Sequence, residues 1–239
     1  MTTTPAEWVP DAPELADVAP DDAMDWPGIE GHLREALPAL RGQFAVHRFA
    51  QGGAHNAYRV RFGPTLLVVR APDVEPADLA RAHELLTTLP DAYSRAPRAL
   101  HLCQDGAVSG RPFQVLQYRP GTVIHARLPN AFVKEPDVGG RIAAAVIDAL
   151  ADLHAAGAVH GSFGLARCLF DADPEEGEPD TVTGVLGWDA ASASGDPRDD
   201  LRSLVATWPG ARLGLPDAAE LVERYAARTG ISITRADLA

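Results

Sequence analysis

Between Phe44 and Arg70 the sequence turns back on itself twice, and this constrains the fold most. Phe44 to Phe49 alternates apolar and polar residues, as a half-buried strand does. Gln51-Gly52-Gly53-Ala54-His55-Asn56 then supplies a turn, and Tyr58 to Phe62 resumes the alternation. Gly63-Pro64 turns again into the Val- and Leu-rich stretch Leu66 to Arg70. Two consecutive hairpins predict an antiparallel sheet. A helix is expected before it, from Gly28 to Leu40, and another after it, from Pro76 to Leu89. Leu100 to Gln104 and Phe113 to Tyr118 read as a further strand pair.

Pro120-Gly121 breaks this pattern, and the second half of the chain is mainly helical. Gly139 to Ala156 carries Ile142, Val146, Leu150 and Leu153 on one face, with Gly157 placed to end it. Leu169-Phe170 and Val182 to Leu186 suit a small hairpin. Asp200 to Thr207 and Asp217 to Thr229 are helix candidates, the last opened by the capping pattern Asp217-x-x-Glu220. The expected fold is α+β in two lobes: an acidic Pro/Ala-rich arm over 1–25, read as mobile, a sheet lobe over 26–119 and a helical lobe over 120–239. Trp8 and Trp26 are candidates to pin the arm.

Charge and composition exclude some functions. The formal net charge of -12 opposes nucleic-acid or anionic-membrane binding as a main role. No apolar run reaches the length of a membrane span, and the first residues lack the basic start and apolar stretch of a signal peptide. A cytoplasmic location is the default expectation. Cys103 and Cys168 stand far apart and read as two reduced thiols. Every basic residue except Lys134 is arginine. A reaction needing a catalytic lysine must use Lys134, which stands in a Pro-flanked stretch suited to solvent.

Three segments carry a resemblance. They are Gly52-Gly53 with Asn56; Val159-His160-Gly161-Ser162 closed by Arg167-Cys168-Leu169-Phe170-Asp171; and Gly184-Val185-Leu186-Gly187-Trp188-Asp189 followed by Gly195-Asp196-Pro197 and Asp200-Leu201. In this order the chain resembles the aminoglycoside-phosphotransferase-like kinases, relatives of the protein-kinase fold. The stretch Gly110-Arg111-Pro112-Phe113 is similar to a bacterial branch of them. The resemblance covers roughly residues 28 to 230. It implies a two-lobed protein-kinase-like fold, ATP or GTP in the cleft, Mg²⁺ and phosphoryl transfer to a hydroxyl. In such sites one Asp orients the acceptor, while an Asn and a second Asp hold the metal.

The sequence departs from that pattern where the chemistry lies. Ser162 stands at the usual Asp, Arg167 at the metal-binding Asn and Gly187 at the metal-binding Asp. The flanking His160, Gly161, Trp188, Gly195, Asp196 and Pro197 remain. Ser162 is a poor base, Arg167 repels Mg²⁺, and Gly187 offers no ligand, so no metal site is expected. Asp189 is a candidate rescue ligand, on the expectation of an extended strand that gives it the face of Gly187. His160 is a substitute base or a loop-ordering residue.

Gly52, Gly53, Arg70, Glu84, Gln117, Tyr118 and Arg167 are the candidate cofactor-binding positions, with Glu84 as the ion-pair partner of Arg70. Arg70 and Arg167 together could neutralise phosphate without metal. Three readings stay open: a pseudokinase that binds or regulates, an active small-molecule phosphotransferase with Asp189 or Asp196 as its acid, and a kinase fold with a new small-molecule pocket. Residues 198–239 are fewer than relatives carry after the Gly-Asp-Pro stretch. A protein partner or a homodimer is therefore an expectation, with a nucleotide or other small molecule as ligand.

Overall fold

The computed structural model describes residues 15–18, 24–49, 57–71, 74–171, 178–233 and 237. In chain order the first elements are β1 (Leu15–Ala16), α1 (Trp26–Ala36), β2 (Phe44–Phe49), β3 (Ala57–Phe62), β4 (Thr65–Arg70) and α2 (Pro76–Thr88). Next come β5 (Ala99–Cys103), the single turn α3 (Gly106–Ser109) and β6 (Phe113–Gln117). The second half holds β7 (Thr122–Val123), α4 (Val138–Ala155), β8 (Cys168–Asp171), β9 (Glu178–Val185), α5 (Pro197–Thr207) and α6 (Ala218–Thr229).

Six strands form one antiparallel sheet in the order β1-β2-β3-β4-β6-β5. The two expected hairpins are its centre, with Val46 opposite Val60 and Val60 opposite Leu67. Within the expected arm, Leu15 of β1 pairs with Phe49 and Ala16 with Arg48. Trp8 lies outside the described residues. Trp26 is the first residue of α1 and meets Tyr58 edge-on at 4.6 Å. The helix begins there, ahead of the expected Gly28, because Asp25 accepts from the Gly28 N–H at 3.0 Å and Pro27 suits the first turn.

One face of the sheet buries Val60, Phe62, Val69, Phe113 and Val115 against Ile29 and Leu33 of α1. Leu116, on the opposite face, belongs to a second core running from Leu86 of α2 to Ile142, Val146 and Leu150 of α4. Thus α2 ties the sheet to the helical half. The small sheet β7-β8-β9 lies beneath, where Phe170 is buried edge-on to Phe132. No described helix is long and apolar enough to cross a membrane.

Candidate active site

The loop after α4 is built around one buried carboxylate. Asp200 sits on the face of α5 that also buries Leu201 and Leu204, and it has no solvent exposure. It accepts from the His160 N–H at 2.6 Å, the Gly161 N–H at 2.7 Å and His154 Nε2 at 3.1 Å. Burial alone would raise its pKa. The bonds from His154 and the His160 amide, with the electrostatic interaction of both rings, outweigh that and hold it below the usual carboxylate range. Gly161 must be glycine, because its φ is +79° and a β-carbon would collide with the Ala190 carbonyl oxygen.

His160 is fixed by the same loop. Its Nε2–H donates to the Leu186 carbonyl at 2.9 Å, while Nδ1 faces the Ser162 N–H at 3.3 Å and the Ser162 hydroxyl at 3.4 Å. The ring stacks at a tilt on Trp188, 4.8 Å away. Burial drives its pKa down to about 4, against the opposing pull of Asp200 and the Leu186 carbonyl. A ring so held orders the loop and is a weak base.

Arg167 ends the loop on a 3-10 turn (Leu165–Arg167) and lies across the position where a side chain of residue 187 would stand. Gly187 has φ +82°, and a β-carbon built on it would lie 2.8 Å from Arg167 Nη1 and 3.1 Å from Cζ. The guanidinium therefore fills the room left by the missing side chain. No acceptor among the described residues is bonded to it. The positive charge of Arg167 also adds to the burial that lowers the pKa of His125.

The residues do not fit a divalent metal here: one expected ligand is a fixed cation and the other has no side chain. Among the described residues, no group of three His, Cys, Asp or Glu side chains is arranged to hold one.

Two expectations are corrected. Gly187 is not on an extended strand with Asp189. It precedes a 3-10 turn (Trp188–Ala190), which turns Asp189 toward the large sheet. There Asp189 Oδ2 meets Arg70 Nη2 at 2.7 Å, so the carboxylate pairs with a guanidinium rather than facing a metal. This also corrects the partner of Arg70, which is Asp189 and not Glu84. Glu84 is exposed on α2. Arg70 is almost buried, and its Nη1 and Asp189 Oδ1 are buried without partners.

The remaining candidates make other contacts. Gln117 is exposed, with its side-chain oxygen accepting from the Arg98 N–H at 3.4 Å. Tyr118 follows β6 and is half-buried. Asp196 caps α5, accepting from the Arg198 N–H at 2.9 Å. Lys134 is exposed, and Cys103 and Cys168 are buried free thiols. Gly52, Gly53, His55 and Asn56 lie outside the described residues.

Sequence reasoning missed the role of Asp200. Its signal was a carboxylate one turn into a helix, on the face of Leu201 and Leu204. It also missed Arg119, whose guanidinium donates to the Thr183 carbonyl and lies against Gly184.

No curated protein matches the chain. A crystal structure of a Ralstonia eutropha JMP134 protein, named "putative aminoglycoside phosphotransferase", shares the fold, with a TM-score of 0.62 at 20% identity. The match covers 88% of this chain and 82% of that one. The profile of the phosphotransferase enzyme family matches residues 46–176, more than half of the chain. The matched segment includes His160, Ser162 and Arg167 and ends before Gly187. The chain belongs to the phosphotransferase enzyme family and has the two-lobed kinase-like fold of the aminoglycoside phosphotransferases.

Proposed function

We propose that this protein is a catalytically impaired member of the family, a pseudokinase that binds or regulates and holds a nucleotide without metal. The observation that carries the reading is the Arg167 guanidinium, packed over Gly187 in the room a ligand side chain would take. A fixed cation there repels Mg²⁺ and attracts phosphate directly. Ser162 and the buried, neutral His160 add weight, since neither is a competent base for a substrate hydroxyl. The scaffold around them is intact: Asp200, Gly161 and Trp188 still order the loop.

Calorimetric titration with ATP and with GTP, in EDTA and again in excess Mg²⁺, tests this. Affinity is expected to be indifferent to Mg²⁺ and to fall at least tenfold in Arg167→Ala, about 1.4 kcal/mol. Binding that requires Mg²⁺, or an Arg167→Ala variant of unchanged affinity, contradicts the reading.

A further inference from the structure

Two guanidinium groups converge on the turn Gly187 to Asp189, one from each lobe. Arg167 comes from the loop of the helical lobe and lies on Gly187, with no acceptor among the described residues. Arg70 comes from the end of β4 and is held by Asp189 at 2.7 Å. The two cations therefore differ in availability. The Arg70 side chain is 10% exposed and that of Asp189 31%. Arg70 Nη1 has no partner but is buried, so an anion that takes Arg70 must displace Asp189, whose Oδ1 is also buried without a partner. Leaving a carboxylate in such surroundings without its cation is costly. The neighbour of Arg70 across the ladder gives no relief. Gln114, paired with Arg70 in register, is fully buried and has both side-chain polar atoms unpartnered. Arg59 shares the same sheet face but registers with Val68, two residues back along β4.

We propose that this cleft reads a single phosphate of its ligand, so that a nucleoside monophosphate suffices and further phosphates add little, and that Asp189 sets this limit by withholding Arg70. Asp189 is a positioning residue in this scheme, because it acts through Arg70. The inference rests on the metal-free nucleotide reading above. One phosphate is matched by Arg167. Further phosphates bring negative charge to a turn whose second cation is already neutralised, and with no metal to bridge them they add little affinity.

The test is titration of the full chain with AMP and with ATP in EDTA, for the wild type, Asp189→Asn and the double variant Arg70→Gln/Asp189→Asn. The wild type is expected to bind the two nucleotides within about threefold of each other. Asp189→Asn frees Arg70 and is expected to tighten ATP about tenfold or more while AMP moves less than about threefold. The double variant is expected to lose that gain. The wild-type ratio needs no substitution, so it stands even if a variant fails to fold.

ATP binding more than about threefold tighter than AMP in the wild type overturns the proposal. So does an ATP affinity unmoved by Asp189→Asn, or a gain that survives in the double variant, since the effect would then not run through Arg70. Binding of neither nucleotide to the wild type overturns the metal-free nucleotide reading itself, and this inference with it.

Discussion

At the scale of single residues, Arg167 and Gly187 behave as one substitution. Each alone would be awkward. On the proposed reading, a glycine in place of a ligand leaves a void, and an arginine in place of an asparagine needs room for its guanidinium. Together the arginine occupies the space the glycine vacates. Returning only one position should therefore not restore a metal site. Gly187→Asp places a β-carbon 2.8 Å from Arg167 Nη1 at φ +82°, a backbone conformation that costs a non-glycine residue roughly 1–2 kcal/mol. Its carboxylate would pair with Arg167. The expected result is a modestly lowered unfolding midpoint with no response to Mg²⁺, read by thermal denaturation with and without the ion. The reading of 162, 167 and 187 as replaced positions rests on the order of the residues around them in the sequence. The packing of Arg167 on Gly187 was not, since it depends on the left-handed backbone at 187. The pairing of Asp189 with Arg70 was hidden for the same reason: a 3-10 turn replaces the extended strand that spacing alone suggests.

At the scale of elements, the loop from His160 to Arg167 hangs from α5 through Asp200. Two backbone amides and His154 converge on one buried carboxylate. Asp200→Ala leaves all of them without an acceptor and should cost about 3 kcal/mol or more, measured by chemical denaturation. The same loop sets an acid limit. His160 has a folded pKa of about 4 against an ordinary value of 6.5, so between these the unfolded chain takes up a proton that the folded one refuses. Stability should fall as pH drops from about 6.5 to about 4, by at most on the order of 3 kcal/mol from this group. Asp200, whose pKa is lowered, holds its contribution above the ordinary carboxylate value and loses it only as pH falls through its lower folded pKa. A His160→Gln variant should flatten the upper part of this profile; an unaltered slope would show that another group carries it. The long elements were the easiest to read: β2, β3 and β4 alternate cleanly, and α4 carries an apolar stripe over 18 residues. The short ones, β1, β7 and α3, were missed. Two to four residues hold no period, and their pairing is decided by distant partners such as Phe49 and Phe170.

At the scale of the whole molecule, a chain of net charge -12 keeps cations at its cleft while most other arginines are tied to carboxylates or carbonyls. The lobes share a core through α2, and the Arg70–Asp189 pair adds a polar contact between them. The family and the two-lobed fold could be read from ordered motifs, whereas the ligand could not, because on the proposed reading it is chosen by which cations remain available after folding. On the proposed reading the cleft has exchanged a metal for a guanidinium. The most direct measurement is the thermal unfolding midpoint with ATP, with and without Mg²⁺, for the wild type and for Ser162→Asp/Arg167→Asn/Gly187→Asp. Saturation at ~100 times the dissociation constant stabilises by about 2.7 kcal/mol, a readily visible shift. The wild type is expected to show the same rise with and without Mg²⁺, and the triple variant a rise only with it. A rise in the wild type that depends on Mg²⁺ would contradict the account.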